Sequence, residues 1–275
     1  MTQTELLPAQ IEQFVAEGHL ILRGCFERED AAPLVEEAWR LMGYEEDDAT
    51  TWAQPLRFLF PSTQVPLRDF APRLWSALCQ LAGGQERLSD AEPGIGQWVV
   101  NLGRGRDEEW VEPGPSTQGW HIDGNFFRHF LDSPEQGLLV VPLFSDIAPR
   151  GGGTTFAPDS VGLVAKYLSE HPEGVLMREF PSAELVAQCH GFRELTGAIG
   201  DVAILHPMML HSFSQNHSGK ARFITNICLG LKEPMRLDRQ DEGDFSPVEQ
   251  AILRALGVQK LEWRIQGERE QVDPA

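Results

Sequence analysis

The residues best suited to chemistry are His121 and Asp123 in the stretch Trp120-His121-Ile122-Asp123-Gly124, together with His206, His211 and Arg222 further on. In an extended strand alternate residues share a face, so His121 and Asp123 would point the same way and could hold one metal ion. A third ligand must come from elsewhere. The segment from Gly200 to His211 ends an apolar run with two candidates, His206 and His211. Two imidazoles and one carboxylate on one face of a metal leave the other face open, the arrangement used by non-haem Fe(II) oxygenases. Ser212 to Gly219 reads as a turn and Lys220 to Leu231 as another strand, which places Arg222 beside the strand ending near His211. A permanently charged, forked guanidinium close to such a metal suits the far carboxylate of a dicarboxylic 2-oxo acid.

Taken together, His121-x-Asp123, Gly200-Asp201 leading to His211, then Asn216 and Arg222 eleven residues past that histidine resemble the phytanoyl-CoA dioxygenase family of Fe(II)- and 2-oxoglutarate-dependent oxygenases. The opening Ile11 to Gly24 and the mid-chain stretch Asp146 to Gly153 with Pro158-Asp159-Ser160 are similar to that family as well, so the likeness spans roughly residues 8 to 231. It implies a double-stranded β-helix (jelly-roll, cupin-like) core, a metal triad of His121, Asp123 and His211, 2-oxoglutarate bound at Arg222, O2 as oxidant, and release of succinate and CO2. His206 then becomes a wall or core histidine. The retained Asp123 implies hydroxylation, desaturation or epoxidation, because related halogenases replace that carboxylate. Two departures stand out: Val161 follows Pro158-Asp159-Ser160 where the family commonly has histidine, and Phe213 replaces a hydroxyl residue often found two places after the distal histidine.

Gln97 and Asn101 fall on the strand before the ligand segment and are candidates to hydrogen-bond the co-substrate, whereas His129 reads mainly as packing. Gly151-Gly152-Gly153 lacks the Lys-Ser/Thr of a phosphate loop and reads as a tight turn.

The elements that must position these residues follow from patterning. Helices are expected over 8–17, from Asp30 to Gly43, over 72–81, and from the Ser246-Pro247-Val248-Glu249 start to Leu256. Leu20 to Leu22 reads as a strand. Trp52 to Phe60 is a candidate to pack over the barrel mouth, and the acidic run 45–48 reads as a solvated loop. From residue 95 short strands alternate with Gly, Pro and Asp turns: 95–102, 119–123, 137–144, 153–157, 174–180, 200–205 and 223–231. Many short strands at this spacing argue for a barrel or sandwich rather than a parallel α/β sheet. The expected organisation is mainly β with flanking helices, a single oxygenase domain over 1–275: a helical part to about 94, a jelly-roll core over about 95–232, and a helical extension over about 233–275 with a frayed tail from Gln266.

With 275 residues, 41% hydrophobic and 23% charged, the chain can bury a sizeable core. Its net charge of −18 repels phosphate backbones and acidic membrane surfaces, so neither nucleic acid nor membrane is an expected partner. The four cysteines, Cys25, Cys79, Cys189 and Cys228, are scattered and read as reduced thiols. Residues Met1 to Glu5 lack the order of a secretory signal and no apolar run approaches a membrane span, so the expected location is cytoplasmic. The loops 52–60, 110–120 and 126–130, with Arg57, Arg104, Arg106 and Arg128, are expected to line the site and to favour a mainly apolar small molecule with a few polar handles. A CoA ester would bring phosphates to this acidic chain without a dense basic cluster to receive them. The competing readings are a non-redox, metal-dependent isomerase or lyase of cupin type, and an oxygenase acting on a peptide or protein side chain.

Overall fold

A computed structural model describes residues 5–62 and 65–273. Met1 to Thr4 of the signal reading, and the last two residues of the tail, lie outside them. Helix α1 (Pro8–Glu17) places proline in its first turn, where a missing N–H costs nothing, and ends at Gly18 with φ 66°. Strand β1 (His19–Leu22) follows, then α2 (Arg28–Met42), β2 (Leu56–Leu59), α3 (Leu67–Phe70) and α4 (Pro72–Ala82). Next come β3 (Gln97–Asn101), β4 (Leu138–Pro142), β5 (Thr154–Phe156), α5 (Ser160–Glu170), α6 (Ser182–Val186), β6 (Arg193–Glu194), β7 (Val202–Leu205), β8 (His211–Phe213) and β9 (Arg222–Leu229). Helix α7 (Pro247–Leu256) closes the series. Its capping box is in place: Ser246 accepts from the Glu249 N–H, and Glu249 accepts from the Ser246 N–H.

The strands form two antiparallel sheets, one of order β1-β7-β4-β9-β3-β2 and one of order β6-β5-β8. Register decides which side chains face the barrel interior. Asn101 lies opposite Arg222 and Gln97 opposite Asn226, so these four share one face. Trp98 and Phe223 have the opposite parity and pack outward: the Trp98 ring meets Phe144 at 4.7 Å, and Phe223 meets Trp39 of α2 at 5.0 Å. The helices thus cover the outer face of the larger sheet with aromatic contacts, each worth about 0.5–1.5 kcal/mol beyond its buried area.

Several elements differ from the sequence expectation. The strand expected over Leu20 to Leu22 is present as β1, whereas β2 was not expected; both come from the part otherwise read as helical and join the larger sheet at its two edges, with partners β7 and β3 distant in sequence. Trp52 stacks on Trp39 at the outer face instead of roofing the barrel. The segment 119–123 makes only a single bridge, His121 to His211, and not a full strand. Residues 174–180 hold a bridge at Val175 and a 3-10 turn at Met177–Glu179. Helix α5 was not anticipated, although Val161, Val164, Ala165 and Leu168 bury one helical stripe.

Among its described residues the C-terminal extension contains one α-helix, α7, after a 3-10 turn at Glu242–Asp244, and the tail expected to fray is latched. The Arg128 N–H donates to Glu270 O and Val272 N–H to Phe126 O, while Arg269 pairs with Asp132 at 2.6 Å under the Phe130 ring. Among the described residues no helix is long and apolar enough to cross a membrane.

His206 is fully buried between α1, α7 and β7. Its Nε2 meets Val248 O at 3.2 Å, its Nδ1 accepts from the Met208 N–H, and burial pushes its pKa down to about 4. The unfolded chain, with an ordinary value near 6.5, therefore binds this proton more readily, and the stability held by neutral His206 is lost as pH falls from about 6.5 towards 4. The expected loss reaches about 3 kcal/mol at the acid end of that window. Denaturant melts at pH 7 and pH 5 should show a smaller pH difference in His206→Gln than in the parent chain; an equal difference would remove the assignment.

Candidate metal centre and its acid-binding neighbour

The bridge between His121 and His211 is a reciprocal pair: His121 N–H donates to His211 O at 3.0 Å and His211 N–H to His121 O at 2.9 Å. Directly opposed residues in an antiparallel bridge share a face, so β8 brings the two imidazoles side by side, ring centroids 4.3 Å apart. Each ring is pinned by the carbonyl two residues upstream. His121 Nδ1 lies 2.7 Å from Gly119 O and His211 Nδ1 lies 3.1 Å from Met209 O. A carbonyl only accepts, so each Nδ1 carries the proton and each neutral ring turns its Nε2 lone pair toward the other. Asp123 Oδ1 sits between them, 3.4 Å from His121 Nε2 and 3.3 Å from His211 Nε2. The three ligand atoms lie within 4.8 Å of one another, and His211 Nε2 is a buried nitrogen without a hydrogen-bond partner.

The electrostatics suit a cation. Burial would raise the Asp123 pKa, but the charge His211 carries when its Nε2 is also protonated, with His121 alongside, reverses this and holds the carboxyl well below the usual carboxylate range. For His121 burial works downward and is outweighed by the hydrogen bond and charge of Asp123, so its pKa is raised. A fixed negative charge that draws a proton onto the His121 imidazole would draw a divalent ion in the same way. The His121 side chain is 30% exposed against 4% for His211, so the cluster opens to solvent on the His121 side. Phe213 stands there, 6.0 Å from the His121 ring, with Phe58 against it.

Arg222 lies on the interior face of β9, 1% exposed. Its Nε donates to Gly152 O at 2.7 Å and its Nη1 to Val99 O at 2.8 Å, while Nη2 has no partner. Gly152 allows this approach: at φ 80° a Cβ would meet Asn101 Nδ2 at 2.7 Å and Asn216 Cβ at 2.8 Å. Burial pushes the guanidinium down to about 9, which leaves it charged at neutral pH, and among the described residues no carboxylate pairs with it. An isolated buried charge is costly, and the free Nη2 gives this side chain a donor that could take an anion.

Asn101, placed by sequence among co-substrate contacts, has other work. Its Nδ2 donates to Ser214 O, and its Oδ1 accepts from the Gly103 and Arg104 N–H groups, so it shapes the turn after β3. Gln97 faces the interior opposite Asn226. Asn216 closes the turn before β9 by donating to Asn101 O and Lys220 O. His129 is buried, held by Gly124 O at 2.7 Å and packed at a tilt against Phe127, ring centroids 4.3 Å apart. Of the arginines expected around the site, only Arg104 stands near the cluster, over the Phe213 ring; Arg57 is bound to Tyr44, Arg106 lies beside Asp107 and Arg128 is bound to Glu270. Sequence reasoning did not reveal the carbonyls that orient the histidines, since backbone carries no residue signal. It also passed over Gln136, an ordinary polar residue by type.

No family model matches this chain, and no curated protein matches it in sequence. Among solved structures, the epimerase SnoN from nogalamycin biosynthesis, in complex with Fe3+, alpha ketoglutarate and nogalamycin RO, aligns with a TM-score of 0.51 at 16% identity, over 81% of this chain and 82% of its own. EctD from S. alaskensis in its apoform aligns with a TM-score of 0.53 at 18% identity, over 84% and 79%. The same enzyme with 2-oxoglutarate and 5-hydroxyectoine gives 0.50 at 16% identity, over 84% and 78%. At these identities the likeness is one of fold: the chain has the double-stranded β-helix core with flanking helices seen in SnoN and EctD.

Proposed function

We propose that the chain is an Fe(II)- and 2-oxoglutarate-dependent dioxygenase that oxidises an unactivated C–H of a small organic molecule. The observation that carries the proposal is the pairing of two unmet demands in one barrel: a buried His211 Nε2 facing Asp123 and His121 Nε2, and a buried Arg222 charge without an acid. Imidazole and carboxylate donors suit Fe(II), and His121, Asp123 and His211 would hold it. When bound, iron, 2-oxoglutarate and O2 supply an oxidant able to take hydrogen from carbon, with release of succinate and CO2. The protein's share is placement. The Gly119 and Met209 carbonyls fix the imidazole orientation, Gly152 O and Val99 O fix the guanidinium, and the Nη2 hydrogens are left for the distal carboxylate of the co-substrate. SnoN and EctD, which share the fold, were solved with alpha ketoglutarate and 2-oxoglutarate respectively, which supports the same co-substrate here.

A non-redox isomerase or lyase would need the metal ligands but not a buried, unpaired Arg222. The test is succinate formation from 2-oxoglutarate after anaerobic Fe(II) loading and admission of O2. Succinate at a rate above the iron-only background is expected, and its absence would favour the non-redox reading. Because SnoN is an epimerase, the product decides the outcome: a gain of one oxygen atom in mass is expected for hydroxylation, and an unchanged mass would indicate epimerisation.

A further inference from the structure

Gln136 precedes β4 and is 3% exposed, yet among the described residues neither its Oε1 nor its Nε2 has a hydrogen-bond partner. A buried amide left unmet at both ends is destabilising, because the unfolded chain hydrogen-bonds both groups to water. The side chain is also not free to wander, because the backbone on either side is pinned: Gly137 N–H donates to Leu229 O at 2.7 Å and Leu231 N–H to Pro134 O at 2.7 Å. A Cβ on Gly137 would lie 2.6 Å from Leu231 Cγ, so this segment is fitted against the end of β9.

Gln136 lines a narrow recess whose wall includes Asp123. Ser133 is in the same wall; its Oγ accepts from the Phe130 N–H and keeps its own hydrogen to donate. His129 adds an acceptor, since its Nε2 proton is committed to Gly124 O and burial, which pushes its pKa down to about 4, keeps the ring neutral. The rest of the wall is apolar, Phe130 and Met235 among it, and no lysine or arginine lines it among the described residues. The free volume, about 20 Å³, admits one water-sized group.

From this geometry we infer that the recess is a substrate subsite for a neutral hydroxyl group. A hydroxyl is the size of the space, donates to an amide carbonyl and accepts from an amide N–H. A carboxylate would be buried beside Asp123 without a counter-charge, and a carboxamide is too large. The inference rests on the oxygenase reading, because it makes the ligand an alcohol whose neighbouring carbon is presented past Asp123 toward the metal cluster.

The recess needs no metal, so binding is measured on the full chain by ligand-observed NMR with cyclohexanol and cyclohexanone as probes. The ketone accepts but cannot donate. The parent chain should prefer the alcohol by about tenfold, the worth of one good hydrogen bond to a buried group. Gln136→Leu and Gln136→Met, similar in volume, should lose that preference while keeping or raising the thermal midpoint, since an unmet buried amide has been removed. Equal affinity for the two probes, or a preference that survives both substitutions, would overturn the inference and leave Gln136 as the partner of a buried water only. Succinate formation by the parent chain is measured in parallel. If it fails, the oxygenase reading falls and takes the substrate role with it. If it stands while the alcohol preference is absent, only the recess assignment falls.

Discussion

Asp123→Ala should lose Fe(II) and turnover together, with the fold intact. The carboxylate oxygen is the single anionic donor between two imidazole nitrogens 3.3 and 3.4 Å away, so its removal leaves a neutral pair with one donor too few for the three-ligand face. Loss of an outer partner of a metal ligand already costs about 10- to 100-fold in affinity or activity, so loss of the ligand should exceed about 100-fold. The fold is spared because the clasp between His121 and His211 is made by backbone groups that the substitution does not touch. Metal content after desalting, succinate formation and circular dichroism read the three outcomes separately. Retained iron with activity within about tenfold of the parent would sink the triad assignment.

What the sequence disclosed about this site, and what it hid, follows the reach of each interaction. Alternation around His121 and Asp123 is local, and so are the Gly18 end of α1 and the Ser246 capping box of α7; each was legible because neighbours within a few residues decide it. The pairing of His19 with Leu205, which draws β1 into the larger sheet, depends on residues far apart in the chain and leaves no local mark. The tail misled for a related reason. Gln266 to Asp273 is polar and reads as solvated, but its order comes from backbone pairing with residues 126–128 and from the Arg269 and Asp132 pair, both of which need the folded loop as a template. Asn101 was legible as a polar residue on the strand before the ligand segment, yet its partners are backbone groups of the next turn and of Ser214, a fact no residue type announces. Arg222 was read for its charge; that the charge would lie buried, with two carbonyls holding the fork and no acid beside it, is visible only once β9 is seated against β3.

That environment sets the expectation for Arg222→Met. The substitution keeps much of the volume and removes a buried cation that has no acidic partner among the described residues, so stability should hold or rise, as it does when buried charges are replaced by apolar groups of similar size. The Gly152 and Val99 carbonyls lose one donor each, which offsets part of the gain by about 1 kcal/mol per bond. Function should move the other way. A charge-assisted contact to the distal carboxylate is worth about 2–3 kcal/mol, so the 2-oxoglutarate concentration needed for half-maximal succinate formation should rise about 30- to 150-fold, with metal content unchanged. Arg222→Lys separates charge from shape: an ammonium cannot hold both carbonyls and still present a donor where Nη2 stands, so it should recover only part of the loss. A co-substrate titration unchanged in both variants would sink the assignment, because a buried guanidinium with a free Nη2 would then have no anion to receive, and the exposed Lys220 nearby would be the next residue to replace.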